Sequence, residues 1–204
     1  MSQNPTLSLD GYTDLPQGKL AAIVTFLEHD APDDASNGMS TPDGLRLTRW
    51  ETPDVNAYRA LFKRIGTDWL WFSRLRLSDT ALSHLLSAPT TEVYLPEGRD
   101  GPIGLLELDF ADPDRVELSY FGLVPEAIGG GAGRWLMNQA IRLGFRAGAR
   151  RMWVHTCTLD HPKALRFYLA AGFRPYKRAI EVFDDPRLTG DLPADAQAWN
   201  PAIG

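Results

Sequence analysis

Residues Phe121 to Met137 read FGLVPEAIGGGAGRWLM. An apolar run leads through Val124-Pro125-Glu126 into four glycines within five residues (Gly129, Gly130, Gly131 and Gly133), and a helical pattern follows. Glycine loses more backbone entropy on folding than any other residue, so the cluster is costly unless the bare backbone has a task. A helix start offers unpaired N–H groups and the positive end of a dipole, and glycines let an anion such as a diphosphate approach them closely.

Working outward, Leu136, Ala140, Leu143 and Ala147 mark one face of a helix that Gly148 can end. RMWVHTC is a strand, HPKALRFYLAAG a helix with Pro162 at its first position and Gly172 after its last, and FRPYKRAIEVF a final strand. Upstream, TEVYLPEG, PIGLLELDF and RVELSYFGLV are joined by RDG and ADPD, the pattern of an antiparallel meander. Before them come a strand in GKLAAIVTFLEHD, a second in LRLTRWE and a helix in TPDVNAYRALFKRIG, with Thr52 as cap and Gly66 as stop. Its apolar stripe is Val55, Tyr58, Leu61, Phe62 and Ile65. A shorter helix starts at the Ser78 cap. The expected fold is α/β: a mixed, mostly antiparallel twisted sheet with helices on both faces, forming one domain over residues 1–204 with an irregular tail from about Asp184.

Composition narrows the function. The single cysteine, Cys157, excludes an internal disulfide framework, and the four histidines lack metal-ligand spacing, so no metal is expected. MSQNPTLSLD lacks the blocks of a signal peptide and LAAIVTFL is too short to span a bilayer, which points to a cytoplasmic protein without membrane partners. The net charge of −5 argues against nucleic acid. Yet Arg134 to Arg178 holds ten Lys/Arg against the single Asp160. A basic half joined to an acidic one fits an anionic ligand beside an amine-bearing one, and a solvated basic helix face explains the pattern equally well.

The glycines do not follow a Walker A loop, because Gly133 precedes Arg134-Trp135 instead of Lys-Ser/Thr. They do not follow GxGxxG either, since Arg134 occupies the third glycine position. With HPKALRFYLAAGF downstream, the chain instead resembles the GNAT superfamily of acetyl-CoA-dependent N-acetyltransferases over roughly Pro102 to Val182. That family's loop reads Arg/Gln-x-x-Gly-x-Gly/Ala, matched by Gly131 and Gly133, and its last helix ends Tyr-x-x-x-Gly-Phe, matched by Tyr168, Gly172 and Phe173. Ile128 departs from the usual Arg or Gln, and His161 from a frequent Asn. The resemblance implies acetyl-CoA as acetyl donor, its diphosphate cradled by Gly129, Gly130, Gly131, Ala132, Gly133 and Arg134, with His161 near the cofactor arm. It also implies that the backbone of Leu123 and Val124 pairs with the pantetheine as an added strand.

Direct acetyl transfer needs a base for the amine and an acid for the departing thiolate. Glu117 is the candidate base, on the reading that 117, 119, 121 and 123 share one strand face. Glu107 on the preceding strand is its rival, Glu126 reads as a loop charge, and a Glu117 merely satisfied by a neighbouring arginine is an equal alternative. Tyr168, one helical turn before Gly172, is the candidate acid, against a packing role. Cys157 reads as an inert buried thiol and His155 as a strand residue. Trp69, Trp71, Phe72 and Arg74 lie where the family shapes its acceptor pocket, although aromatic residues there also suit a core, and the acidic loop Glu28 to Asp43 suits either a cationic acceptor or solvent. The partner is a small-molecule or peptide amine, and a homodimer is compatible with the sequence. A non-catalytic acyl-CoA-binding or sensing domain is the alternative function.

Overall fold

The computed structural model describes residues 7–8, 10–32, 41–146 and 148–204; Ala147 and the middle of the acidic loop lie outside the described residues. The chain forms β1 (Lys19–Asp30), β2 (Arg46–Arg49), α1 (Val55–Gly66), α2 (Asp79–Leu86), β3 (Thr91–Gly98) and β4 (Gly101–Pro102). It continues with β5 (Gly104–Asp109), β6 (Arg115–Leu123), α3 (Ala132–Phe145), β7 (Arg151–Cys157), α4 (Ala164–Ala170) and β8 (Arg174–Asp184). The strands make one sheet in the order β2-β3-β5-β6-β7-β1-β8, with β4 paired to β3. Each described pairing is antiparallel except β6 with β7. Helices α1 and α2 pack on one face through Tyr58, Phe62, Leu82 and Leu105. Helices α3 and α4 pack on the other through Leu106, Leu118, Trp135, Leu136 and Tyr168. The expected fold class is the observed one.

Local chemistry moves a few boundaries. The α1 stripe is buried as its spacing requires, but Asp54 is the cap, accepting from the Ala57 amide at 2.8 Å, where Thr52 was expected. Gly66 is the last residue of α1 instead of the stop beyond it. A Cβ there would lie 2.4 Å from the Trp71 Cβ, so the glycine lets the Trp71 side chain close over the helix end. Helix α4 begins at Ala164, two residues after Pro162, because the His161 carbonyl takes the Ala164 amide at 2.7 Å.

Two features of β6 position the site. Its pairing with β7 runs only from Arg115–Arg151 to Glu117–Trp153. Beyond that point β6 continues to Leu123 against β5, and β7 continues to Cys157 against β1, leaving a slot between them. The second feature is a bulge. Glu107 pairs with Tyr120 while Leu108 pairs with Leu118, so Ser119 is the extra residue. The bulge shifts the alternation and overturns the expectation that 117, 119, 121 and 123 share a face. Glu117 shares the α1/α2 face with Tyr120 and Gly122, whereas Leu118, Phe121 and Leu123 face α3 and α4.

The tail after β8 is irregular, as expected, and it is packed. Leu192 and Ala196 bury against Leu70, with Leu20, Phe72 and Leu159 around them. Gln197 donates its side-chain amide to the Asp68 carbonyl at 3.2 Å and to the Leu159 carbonyl at 2.8 Å. The tail thereby ties the segment after α1 to the loop after β7. Its anchor is a bidentate pair of Arg187 and Asp185, with bonds of 2.9 and 2.7 Å and side chains 2% and 1% exposed. Burial pushes the Asp185 carboxyl up, but the Arg187 side-chain and backbone hydrogen bonds outweigh it and hold it below the usual carboxylate range.

A depressed folded pKa contributes stability above the unfolded value of about 3.9 and loses it as pH falls through the folded value. Asp185→Asn, which leaves the Arg187 charge buried and unpaired, should lower the urea unfolding free energy by about 3–5 kcal/mol. On acidification below about pH 4 the variant should lack one step of the wild-type stability loss.

Candidate active site

Above the last β6–β7 pair lies a cavity of about 800 Å³ lined from both faces of the sheet. On the α3/α4 side its wall is built by the glycine loop. A 3-10 turn at Pro125–Ala127 delivers the chain to Gly129 at φ 100° and Gly131 at φ 86°, left-handed values that favour glycine, and α3 then begins at Ala132. None of the six backbone N–H groups from Gly129 to Arg134 finds an acceptor among the described residues. A Cβ on Gly129, Gly130 or Gly131 would meet nothing within 4 Å, so the space before these amides is open. Arg134 and Lys163 line the same wall, neither in an ion pair with a described residue. The arrangement is an anion cradle of donors, dipole and two cations.

The expected cofactor residues divide. Leu123, Gly129, Gly131, Gly133, Arg134 and His161 line the cavity, as does Ile128, whereas Gly130 and Ala132 belong to the loop without lining it. Val124 does not line the cavity: its N–H donates to the Ile103 carbonyl at 2.9 Å and its carbonyl accepts from Ala127 at 3.0 Å, which leaves only the second lone pair of that carbonyl for a further partner. His161 also has local work: its Nδ1 accepts from the Lys163 amide at 3.0 Å at the start of α4, and its ring meets Trp69 edge-on at 4.9 Å.

At the middle of the slot stands Tyr168, packed among Phe121, Phe167 and Phe173, with a hydroxyl that hydrogen-bonds no described residue. Burial, then the Asp160 carboxylate, raises its pKa, so the phenol keeps its proton for donation. Asp160 itself was not singled out from the sequence, although an acidic residue shortly before a helix is a recognisable turn signal. Its carboxylate accepts from Thr156 Oγ1 at 2.7 Å, the Cys157 amide at 2.8 Å and Trp71 Nε1 at 3.5 Å.

The two candidate bases have opposite surroundings. Glu107 is 1% exposed and held by Tyr58, whose hydroxyl donates at 2.6 Å, and by the Arg74 guanidinium. The arginine-satisfied carboxylate is therefore Glu107, not Glu117. No described donor reaches the Glu117 carboxylate, and burial, then Asp109, raises its pKa. Glu117 stands at the closed end of the slot, and the cavity wall begins with the next residue, Leu118.

Trp69, Trp71 and Phe72 line the α1/α2 side of the cavity, whereas Arg74 serves Glu107 behind the wall. Also on this side, and absent from the sequence reading, are Ser73, Tyr120, Glu181 and Phe183. Cys157 lines the cavity with its thiol pKa pushed up to about 11, by burial first and Asp160 second, so it stays protonated at neutral pH. His155 meets Phe26 in a tilted ring contact at 5.7 Å. Glu126 is a surface charge 3.4 Å from Arg64. Among the described residues no His/Cys/Asp/Glu cluster could hold a metal, and no helix is long and apolar enough to cross a membrane.

A sheet split between two parallel strands, with an anion cradle at one side of the split, makes a cleft that suits an extended ligand bearing an anionic group. Residues 50–173, more than half of the chain, match the model of the acetyltransferase (GNAT) family, and the chain belongs to that family. A search of curated proteins returned no match. Among solved structures, the chain is similar to a functionally unknown conserved protein of Staphylococcus epidermidis (TM-score 0.58, 14% identity, covering 82% of this chain and 63% of that one). It is also similar to a GCN5-related N-acetyltransferase from Kribbella flavida (TM-score 0.53, 17% identity, 85% and 63%). A third is a GNAT family acetyltransferase from Elizabethkingia anophelis with acetyl-CoA bound (TM-score 0.51, 17% identity, 67% and 80%). The chain thus spans less than two thirds of the first two of these proteins.

Gly133→Asp separates binding from folding. A Cβ at Gly133 makes only ordinary contacts, 3.7 Å to Leu123 and 3.8 Å to Phe167, and a carboxylate in the first turn of α3 favours the helix by about 0.3–1 kcal/mol. The same charge opposes a diphosphate. Calorimetry should show unchanged or higher thermal stability with coenzyme A affinity lowered at least about tenfold, or ~1.4 kcal/mol.

Proposed function

We propose that the protein is an N-acetyltransferase that moves the acetyl group of acetyl-CoA directly to a primary amine on a small molecule or peptide. The observation that carries this reading is the run of six unpaired amides, with Arg134 and Lys163, beside a slot that opens to the opposite sheet face. The cradle fits a diphosphate, and the backbone edge of β6 facing the slot near Leu123 suits an extended amide-bearing arm. The acetyl-CoA described in the Elizabethkingia anophelis relative supports the same donor.

The chemistry follows from the two faces. An amine entering from the α1/α2 side attacks the thioester carbonyl, and the C–N bond forms as the carbonyl becomes tetrahedral. Glu117, one residue beyond the cavity wall, takes the amine proton through a water; its unpaired carboxylate with a raised pKa suits that task. Collapse breaks the C–S bond, and the Tyr168 hydroxyl gives its proton to the departing thiolate. No covalent enzyme intermediate is needed, because the thioester is already activated.

Acetyl-CoA at about 100 times its dissociation constant should stabilise the native protein by roughly 2.7 kcal/mol, read as a rise in melting temperature. Thiol release in the presence of an amine panel tests transfer. A clear melting shift with no release from any amine would leave a binding or sensing domain instead.

Glu117→Gln should lower turnover by about 10²–10⁴ and keep the acetyl-CoA melting shift. The acidic limb of the wild-type kcat/KM profile should lie above the ordinary carboxylate range and flatten in the variant. Tyr168→Phe retains the ring packing and removes only a transition-state donor, so kcat and kcat/KM should fall together. Full activity in Tyr168→Phe would assign the ring to packing alone.

A further inference from the structure

The two sides of the slot differ in chemistry, and the side away from the cradle describes its occupant. Strand register assigns the sides. Glu181 and Phe183 of β8 pair with Ala22 and Leu20 of β1, and Val24, on the same side of that strand, pairs with Cys157. Glu181, Phe183 and Cys157 therefore share the α1/α2 face with Tyr120 and Trp71, opposite Arg134 and Lys163.

Rings make most of this wall. Phe72 and Phe183 lie with centroids 4.9 Å apart, and Trp71 meets Tyr120 edge-on at 5.0 Å. The Tyr120 hydroxyl is occupied by Ser73 Oγ and the Trp71 indole N–H by Asp160, and guanidinium groups cover one face of Tyr120 (Arg74, 4.9 Å) and one of Phe72 (Arg76, 4.1 Å), so the apolar surface left to a ligand is the other face of these rings together with Phe183 and Trp71. The charges are equally selective. No lysine or arginine lines this side: Arg74 is bound to Glu107, and Arg76 to Asp191 at 2.7 Å. Of the two carboxylates on the wall, Asp160 already accepts three donors. Glu181, an exposed side chain at the cavity rim, makes no hydrogen bond or ion pair with a described residue.

We infer that the acceptor is a singly charged amine carried on an aromatic body, its ring lying among Phe72, Phe183, Trp71 and Tyr120 and its ammonium drawn in by Glu181. This rests on the acetyl-transfer reading above. Ring faces attract both a flat apolar body and a nearby cation. Among the described residues, Glu181 is the one unpaired carboxylate that lines this wall, Glu117 standing just beyond it as the base, and it answers one positive charge. A polyamine or an aminosugar brings further charges and hydroxyls to a wall that would desolvate them without partners, which selects against those classes.

The test uses the full chain, with acetyl-CoA binding first verified by its melting shift. Phenethylamine and tryptamine are compared with spermidine and kanamycin, both as substrates and by calorimetric binding to the complex with desulfo-CoA, which cannot react. The arylalkylamines should bind that complex and exceed the polycations in kcat/KM by about a hundredfold or more. Glu181→Gln should raise the phenethylamine KM about tenfold or more, with kcat and acetyl-CoA affinity nearly unchanged. Phe183→Leu, which preserves an apolar side chain, should weaken phenethylamine binding in the same assay. Preference for spermidine or kanamycin, no phenethylamine binding to a desulfo-CoA complex that does form, or an unchanged KM in Glu181→Gln would each overturn the inference. Phenethylamine that binds without being acetylated would uphold the acceptor site and remove acetyl transfer instead.

Discussion

The parallel pairing of β6 with β7 lasts three residues and stops at Glu117 opposite Trp153, and the whole cleft depends on the strands being held apart above that point. Separation has a cost, because each strand then turns a row of backbone N–H and C=O groups toward the slot without a protein partner. The wedge on one face is aromatic: Phe121, Phe167, Tyr168 and Phe173 occupy the gap with centroids 5.6–6.4 Å apart. On the other face, Asp160 draws Thr156, Cys157 and the distant Trp71 to one carboxylate. Closing the slot into regular sheet would require expelling the rings and breaking that hub together. The unpaired backbone is thus maintained by side-chain packing, and a ligand with amides of its own can satisfy it.

Charge follows the same division. The excess of lysine and arginine between Arg134 and Arg178 is not spread evenly around the cavity. Arg134 and Lys163 stand at the cradle, while the far wall offers the Glu181 and Asp160 carboxylates and no lysine or arginine. Opposite charges at the two sides of one slot favour an anion at one side and a cation at the other. The Arg74–Glu107 pair contributes by absence: a buried arginine without its carboxylate would place a positive field behind this far wall.

What the sequence revealed was the local part of this design. The glycine loop and the Tyr168-to-Phe173 ending are each contiguous, and their physics needs little beyond a helix terminus. The bulge at Ser119 is different, since it exists only in the register between β5 and β6. Period-two alternation carried Glu117 to the same face as Leu123, and one extra residue reverses that. Choosing between Glu107 and Glu117 required knowing where Arg74 lands, a contact spanning 33 positions. The N–H of Val124 is committed to Ile103 and its carbonyl to the 3-10 turn that Pro125 opens, and the first of these contacts depends on where β5 lies. The α1/α2 wall of the cavity was half legible: the Trp69 to Phe72 cluster stands out in the sequence, while Glu181 and Phe183 look like any alternating strand residues.

The tail completes the α1/α2 side of the cavity at a local conformational cost. Leu70 at φ 53° and Gln197 at φ 51° are the two non-glycine residues with positive φ among the described residues, and they belong to one junction. Leu70 is buried with Leu192 and Ala196, while Gln197 bridges the Asp68 and Leu159 carbonyls. Left-handed backbone at such residues costs on the order of 1–3 kcal/mol each and persists only where surrounding contacts over-determine it. The Asp185–Arg187 anchor and the Leu192 packing supply those contacts. The strain is concentrated where the segment bearing Trp69 to Phe72 meets the loop bearing Asp160 and His161, the two pieces of wall that no sheet pairing holds together. A tail that were only an appendage could relax to ordinary backbone. One that fixes two loops against each other cannot, and both loops contribute wall to the cavity.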